Sequence, residues 1–220
     1  VIDYTGYSVA PGLVDTHIHG FGGVDVMDNN IEGTLHTMSE GLLTTGVTSF
    51  LPTTLTSSYE QLLAVTENIG VHYQEASGAK IRGLYFEGPY FTEKYKGAQN
   101  PAYMKDPRMD EFRAWQKASN GLLNKIALAP EREGVEEFVR TITDEGVTVA
   151  LGHSNATYDE AKTAVEAGAS VWVHAYNGMR GLTHRELGMV GAMYELPHTY
   201  AELICDGHHV DPKACDILLK

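Results

Sequence analysis

Seven times along this chain a short run of aliphatic and β-branched residues gives way to a longer amphipathic stretch, and that alternation restricts the fold more than any other feature. The short runs are Pro11 to Gly20, Val47 to Thr54, Lys80 to Glu87, Ile126 to Pro130, Val147 to His153, Ser170 to His174 and Tyr200 to Asp206. Helical patterns of about 10–18 residues separate them, which is the mark of parallel βα units. The first helical pattern runs from Ile31, with Leu35, Met38, Leu42 and Leu43 at helical spacing. Ser57 to Glu60 and Thr157 to Glu160 read as capping boxes. Leu62, Leu63, Val65 and Ile69 then belong to one buried helical face. Asp106-Pro107 and Asp211-Pro212 read as an N-cap followed by proline in the first turn, and further helices cover Val135 to Asp144 and Val190 to Leu196.

An open doubly wound sheet has the same alternation, but its Gly-rich phosphate turn after the first strand is missing. A (β/α)8 barrel normally has eight units in about 250 residues. With 220 residues and seven units, the expectation is an α/β TIM-like barrel truncated after about seven βα units, with residues 1–220 as one incomplete catalytic domain. Both ends read as cut: Val1 lies in a strand pattern and Lys220 in a helical one, as expected of a fragment of a longer protein.

Composition narrows the partners. Net charge is −13 and no basic run occurs, which argues against nucleic acid or an anionic membrane surface as the main partner. A small phosphorylated ligand remains compatible, because it needs only one or two local donors. No apolar run reaches the ~20 residues of a membrane span, and nothing reads as a signal peptide. The two cysteines, Cys205 and Cys215, are too few for a disulfide framework, fit a reducing cytoplasm and read as packing residues.

Chemistry collects at the strand C-termini, where a parallel barrel carries its active site. His17 and His19 end the first run, Glu87 the third, His153 the fifth, His174 the sixth, and Asp206, His208 and His209 follow the seventh. Residues i and i+2 of a strand share a face, so His17 and His19 point the same way. Each residue alone has an ordinary reading: a helix-capping carboxylate for Glu87, a turn residue for His153, a backbone-bonded core histidine for His174. Jointly those readings fail, because random placement seldom brings so many imidazoles and a carboxylate to one end of one sheet. A nitrogen and oxygen donor set without thiolate suits Zn, Fe, Co or Mn. His36, His72, His184, His198 and His208 keep ordinary readings.

The motifs around these residues resemble a known family. Ala10-Pro-Gly-Leu-Val-Asp-Thr-His-Ile-His19 is similar to the first-strand motif of the amidohydrolase superfamily. Tyr85-Phe-Glu-Gly-Pro89, Gly152-His-Ser-Asn-Ala156, His174-Ala-Tyr-Asn-Gly-Met179 and Asp206-Gly-His-His-Val210 resemble the N-acetylglucosamine-6-phosphate deacetylases within it. The resemblance, which runs from His17 to Asp211, implies a barrel of the metal-dependent hydrolase type. It implies that Glu87, His153 and His174 bind a principal metal, with His17 and His19 at a neighbouring position, so one or two divalent ions per subunit. It further implies substrate contacts from Ala98, Asn177, Gly178, Asp206 and His209, a phosphate contact from Arg185, and polarisation of the acetamide carbonyl by His209. Arg185 alone also reads as a solvated loop charge. The family's general-base Asp is expected beyond Lys220, so the 220 residues alone are expected to be inactive and poorly folded. The implied setting is amino-sugar catabolism by a cytoplasmic homodimer. The rivals are another amidase or deaminase of the superfamily and a sugar-phosphate-binding or metal-binding module without catalysis.

Overall fold

Parallel strands laid side by side in chain order dominate the structure, a computed structural model that describes residues 2–28 and 31–220. The strands are β1 (Leu13–Ile18), β2 (Val47–Thr54), β3 (Leu84–Glu87), β4 (Leu123–Leu128), β5 (Thr148–Leu151), β6 (Val171–Trp172) and β7 (Tyr200–Ala201). Each pairs in parallel with the next, without reversal. A doubly wound sheet reverses its order at a switch point. The unbroken order therefore decides for a half-barrel, a curled sheet whose edges β1 and β7 do not pair with each other among the described residues.

Helices α1 (Ile31–Leu43), α2 (Tyr59–His72), α3 (Met109–Ala118), α4 (Val135–Asp144), α5 (Tyr158–Glu166), α6 (Gly188–Glu195) and α7 (Pro212–Leu218) follow the strands. Strand alternation sorts the core into two clusters. Phe50, Leu84, Phe86, Ile126, Leu128, Val149, Leu151 and Trp172 face the helices, packing with Leu62, Trp115, Phe138 and Ile142. Leu51, Tyr85, Ala127, Ala150 and Val173 point inward and, with Phe91, fill the concave side. Burying an aliphatic or aromatic side chain contributes roughly 1.5–3 kcal/mol, so the helix-facing layer carries most of the stability. Among the described residues no helix is long and apolar enough to cross a membrane.

Several boundaries depart from the sequence pattern. The strand expected at the chain start is absent over 2–12, and Val1 itself lies outside the described residues. So do Asn29 and Asn30, at the end of the loop before α1. Within that loop Gly20–Phe21 and Val24–Asp25 form a small antiparallel ribbon, and Leu43 is exposed. The third strand is broken: Lys80–Ile81 pairs only with β2, and β3 begins at Leu84. Gly83 marks the break because its backbone lies against Asn124, whose side chain would sit 2.1 Å from any added Cβ. The α2 cap is Ser58 rather than Ser57, its hydroxyl accepting from Gln61 N, so the motif is read one residue later. Asp106 does not cap α3, which starts at Met109. Its carboxylate instead accepts from Arg132 and from Glu133 N. Strand seven ends at Ala201, five residues early, which leaves Cys205 exposed rather than packed. The Thr157–Glu160 capping box and the Asp211 cap form as expected, although α7 ends before Lys220.

The Thr157 cap gives a direct check of this register. Thr157→Ala removes the hydroxyl that accepts from Glu160 N and should lower stability by about 1 kcal/mol, read as an earlier denaturant midpoint with unchanged slope.

Candidate metal centre

The C-terminal end of β3 delivers Glu87 into the mouth of the half-barrel, where its side chain is 3% exposed. Four imidazoles meet it there. Glu87 Oε1 lies 3.3 Å from His17 Nε2, 3.2 Å from His153 Nε2 and 3.3 Å from His174 Nε2. Glu87 Oε2 lies 3.1 Å from His19 Nε2. The rings also crowd one another, with Nε2 atoms 3.2 Å apart for His17 and His19 and 3.1 Å apart for His153 and His174. Two ligand triads result: His17, His19 and Glu87, and Glu87, His153 and His174.

The far side of each ring defines what its near side can do. His19 Nδ1 donates to Thr53 O at 3.1 Å, His153 Nδ1 to Tyr95 O at 3.0 Å, and His174 Nδ1 to Asn177 O at 2.9 Å. A carbonyl only accepts, so in each ring the proton belongs on Nδ1. In the neutral imidazole Nε2 then offers a lone pair towards the carboxylate. Three lone pairs aimed at an anion repel it unless a positive charge lies between them. Nitrogen and carboxylate donors without thiolate, each locked by an outer hydrogen bond, fit a borderline divalent metal such as Zn, Fe, Co or Mn.

Burial alone would raise the Glu87 pKa. Where Nε2 carries a proton in place of a cation, hydrogen bonds from His153, His17, His174 and His19 outweigh that burial and hold it well below the ordinary carboxylate range. For His19, burial works against the charged form, yet the hydrogen bond and charge of Glu87 raise its pKa above the ordinary value.

Two supporting residues had no legible signal. Gln99 is buried in the excursion after β3, its Nε2 donating to Glu87 Oε2 at 2.6 Å and its Oε1 accepting from Thr56 N at 2.8 Å. The backbone N–H can only donate, so the amide is oriented with its NH2 towards Glu87. Glu131, just after β4, accepts from Thr92 Oγ at 2.6 Å, Ser154 Oγ at 2.6 Å and Asn155 N at 2.7 Å, which ties the loop carrying His153 to its neighbours. His153 and His174 have positive φ, 45° and 33°, a strained backbone that aims each ring into the mouth. Gly178 allows the close approach of the two loops, since an added Cβ would meet His153 Nδ1 at 3.2 Å and its own φ is +62°.

The remaining sequence candidates are not among the ligand groups of the two triads. Asn177 is half-buried, and its carbonyl is occupied by His174. Ala98 is exposed next to Gln99, and Arg185 is exposed in the loop after β6. Asp206, His208 and His209 are exposed in a bend beyond β7, not at a strand end as expected. There Asp206 accepts from His208 N, His209 N and, at 2.6 Å, His209 Nδ1. Those backbone N–H groups, then His209, hold the exposed Asp206 carboxyl below its ordinary pKa. Arg180, half-buried on the same loop as Arg185, is engaged by Glu186 at 3.4 Å and by Asn155 O at 3.3 Å.

Residues 8–220 match the model of the amidohydrolase family. An N-acetylglucosamine-6-phosphate deacetylase of Vibrio furnissii is 45% identical over 208 residues, covering 94% of this chain and 52% of the relative. An N-acetylgalactosamine-6-phosphate deacetylase of Escherichia coli O157:H7 is 41% identical over 210 residues, covering 95% and 55%. The crystal structure of N-acetylglucosamine-6-phosphate deacetylase from Pasteurella multocida superposes with a TM-score of 0.86 at 33% identity, over 94% of this chain and 54% of that one. The chain thus spans about half the length of the relatives it matches.

Gln99 offers a test of the carboxylate's support. Gln99→Leu removes a donor from the buried Glu87 carboxylate, leaves the buried Thr56 N–H unpaired and should destabilise the protein by about 1–3 kcal/mol, whereas Gln99→Glu should be worse by charge repulsion with Glu87. Equilibrium unfolding measures both, and a neutral Gln99→Leu would contradict the assigned bonds.

Proposed function

This chain belongs to the amidohydrolase family, and from that premise we propose that it forms the cation-binding part of a deacetylase. The reaction cleaves the acetamide of N-acetylglucosamine 6-phosphate to glucosamine 6-phosphate and acetate. The observation that carries this reading is the convergence of four imidazole Nε2 atoms on the buried Glu87 carboxylate. The similar proteins of Vibrio furnissii and Pasteurella multocida bear the name of that deacetylase.

In this reading Glu87, His153 and His174 hold the principal divalent metal, and His17 and His19 share Glu87 with a neighbouring position. A divalent ion held there supplies Lewis acidity towards water and the amide carbonyl. Arg185 meets the phosphate: its guanidinium has no ion pair among the described residues, while Arg180 on the same loop is occupied by Glu186. Asn177, Gly178, Ala98 and Asp206 contact the sugar. His209, oriented by Asp206 through Nδ1, polarises the acetamide carbonyl. The general-base carboxylate is expected from residues beyond Lys220, with residues 1–220 as part of one catalytic barrel. A cytoplasmic homodimer acting in amino-sugar catabolism completes the proposal. The similarity to the Escherichia coli relative favours a second reading, in which the galacto epimer is the substrate.

Acetate release by the full-length parent protein from N-acetylglucosamine 6-phosphate, its galacto epimer and unphosphorylated N-acetylglucosamine, each with and without chelator, tests both readings. Chelator-sensitive release confined to the phosphorylated sugars is expected, and the preferred epimer selects between them. No release from any of the three by the metal-loaded full-length protein would sink the proposal. Arg185→Ala should raise KM for the phosphorylated sugar by about 10- to 100-fold, the worth of a charge-assisted hydrogen bond, with kcat far less affected.

A further inference from the structure

Beneath the Glu87 layer the half-barrel interior holds a second set of charges that the reaction does not use. Lys125, on β4, is 4% exposed as a whole residue, and its ammonium is bonded to Glu202 Oε1, just after β7. Both groups grip one residue of β1. Lys125 Nζ donates to Thr16 O at 3.4 Å, and Thr16 Oγ donates to Glu202 Oε1 at 2.8 Å. Thr16 immediately precedes His17. A second route to the same histidine runs through Tyr85, since Lys125 Nζ sits 4.2 Å from the Tyr85 ring centroid. That ring in turn meets the His17 ring edge-on, with centroids 4.9 Å apart and planes at 81°.

An ion pair is an unusual filler for this position. Barrel interiors are normally packed with branched aliphatic side chains, as Leu51 and Val173 are here. A buried pair contributes little net stability, because desolvation offsets the attraction. Its value lies in direction rather than in energy. β1 needs such direction, because its pairing with β2 is irregular between Asp15 and Ile18, the interval that holds Thr16 and His17. The backbone ladder alone therefore does not fix the end of β1, and bonds outside it, such as Ile18 N to Thr53 Oγ and His19 Nδ1 to Thr53 O, take part. His153 and His174 are held otherwise, by Tyr95 O, Asn177 O and the loops after β5 and β6.

We propose that Lys125 and Glu202 are positioning residues: acting through Thr16 they fix where His17 and His19 present Nε2, and so set cation affinity at the His17–His19–Glu87 position selectively. This rests on the reading of the Glu87 cluster as a metal centre.

The experiment is a cobalt(II) titration of the purified protein against a competing chromophoric chelator, for wild type, Thr16→Val, Thr16→Ser, Lys125→Met and His19→Ala. His19→Ala identifies which binding step belongs to the β1 histidines. Thr16→Val, which keeps shape and removes the hydroxyl, should weaken that step by about tenfold or more, as loss of an outer-sphere partner does. Thr16→Ser should restore it, Lys125→Met should weaken it likewise, and the other step should stay unchanged. The inference is overturned if Thr16→Val leaves the His19-dependent step intact, if both steps weaken together, or if no step depends on His19. A wild-type protein that binds no cobalt at all would remove the metal reading itself, and this inference with it.

Discussion

A buried carboxylate facing four imidazole nitrogens is the interaction on which the rest of this structure depends. Glu87 at 3% exposure would be expensive to keep ionised by itself, because a charge out of water costs several kcal/mol. The imidazoles and the Gln99 amide reverse that balance. That balance needs positive charge between them, because Nδ1 already donates to a carbonyl in His19, His153 and His174 and each neutral ring then turns an Nε2 lone pair towards the carboxylate. The arrangement is therefore incomplete without a cation, and the two triads sharing Glu87 describe where one or two would fit.

The half-barrel is what allows such an arrangement. Parallel strands all end on the same side, so residues distant in sequence arrive at one mouth without a dedicated scaffold. The mouth is then tightened by loops rather than strands. His153 and His174 lie beyond the ends of β5 and β6 in strained backbone; Glu131 binds the loop after β5 to Thr92, and Gln99 binds Glu87 to Thr56. Below, the Lys125–Glu202 pair reaches across the interior to β1. Rigid elements bring the ligands close, and short polar bridges settle their final aim.

Much of this was legible in the chain because the signals are local. Alternation of short β-branched runs with helical periodicity identified all seven principal strands, with β2 and α4 ending where expected. The Thr157–Glu160 box and the Asp211-Pro212 pair acted through hydrogen bonds within one turn, so reading them needed no partner from elsewhere. Misreadings arose where a distant residue intervened. Gly83 interrupts the third run because of Asn124, and Asp106 leaves its helix to bind Arg132 and Glu133. One misreading was local: Asp206 and His209 read as strand-end residues, yet β7 ends at Ala201 and they pair with each other in an exposed bend.

By itself the sequence nominated donors at strand ends, Asp206 and His209 among them, and the resemblance of its motifs singled out the five that the structure brings together. Residue chemistry and the period-two geometry of a strand are properties of a few consecutive residues, so His17, His19, Glu87, His153 and His174 could be named in advance. Only the tertiary structure decided the topology, through the unreversed order of strand pairing. It alone decided the tautomers, through carbonyls of Thr53, Tyr95 and Asn177 that approach the rings in space. It alone supplied Gln99, Glu131 and the Lys125–Glu202–Thr16 bridge, whose members lie far apart in the chain. The physical reason is common to all three: a hydrogen bond is specified by both of its ends, and a sequence read locally shows only one.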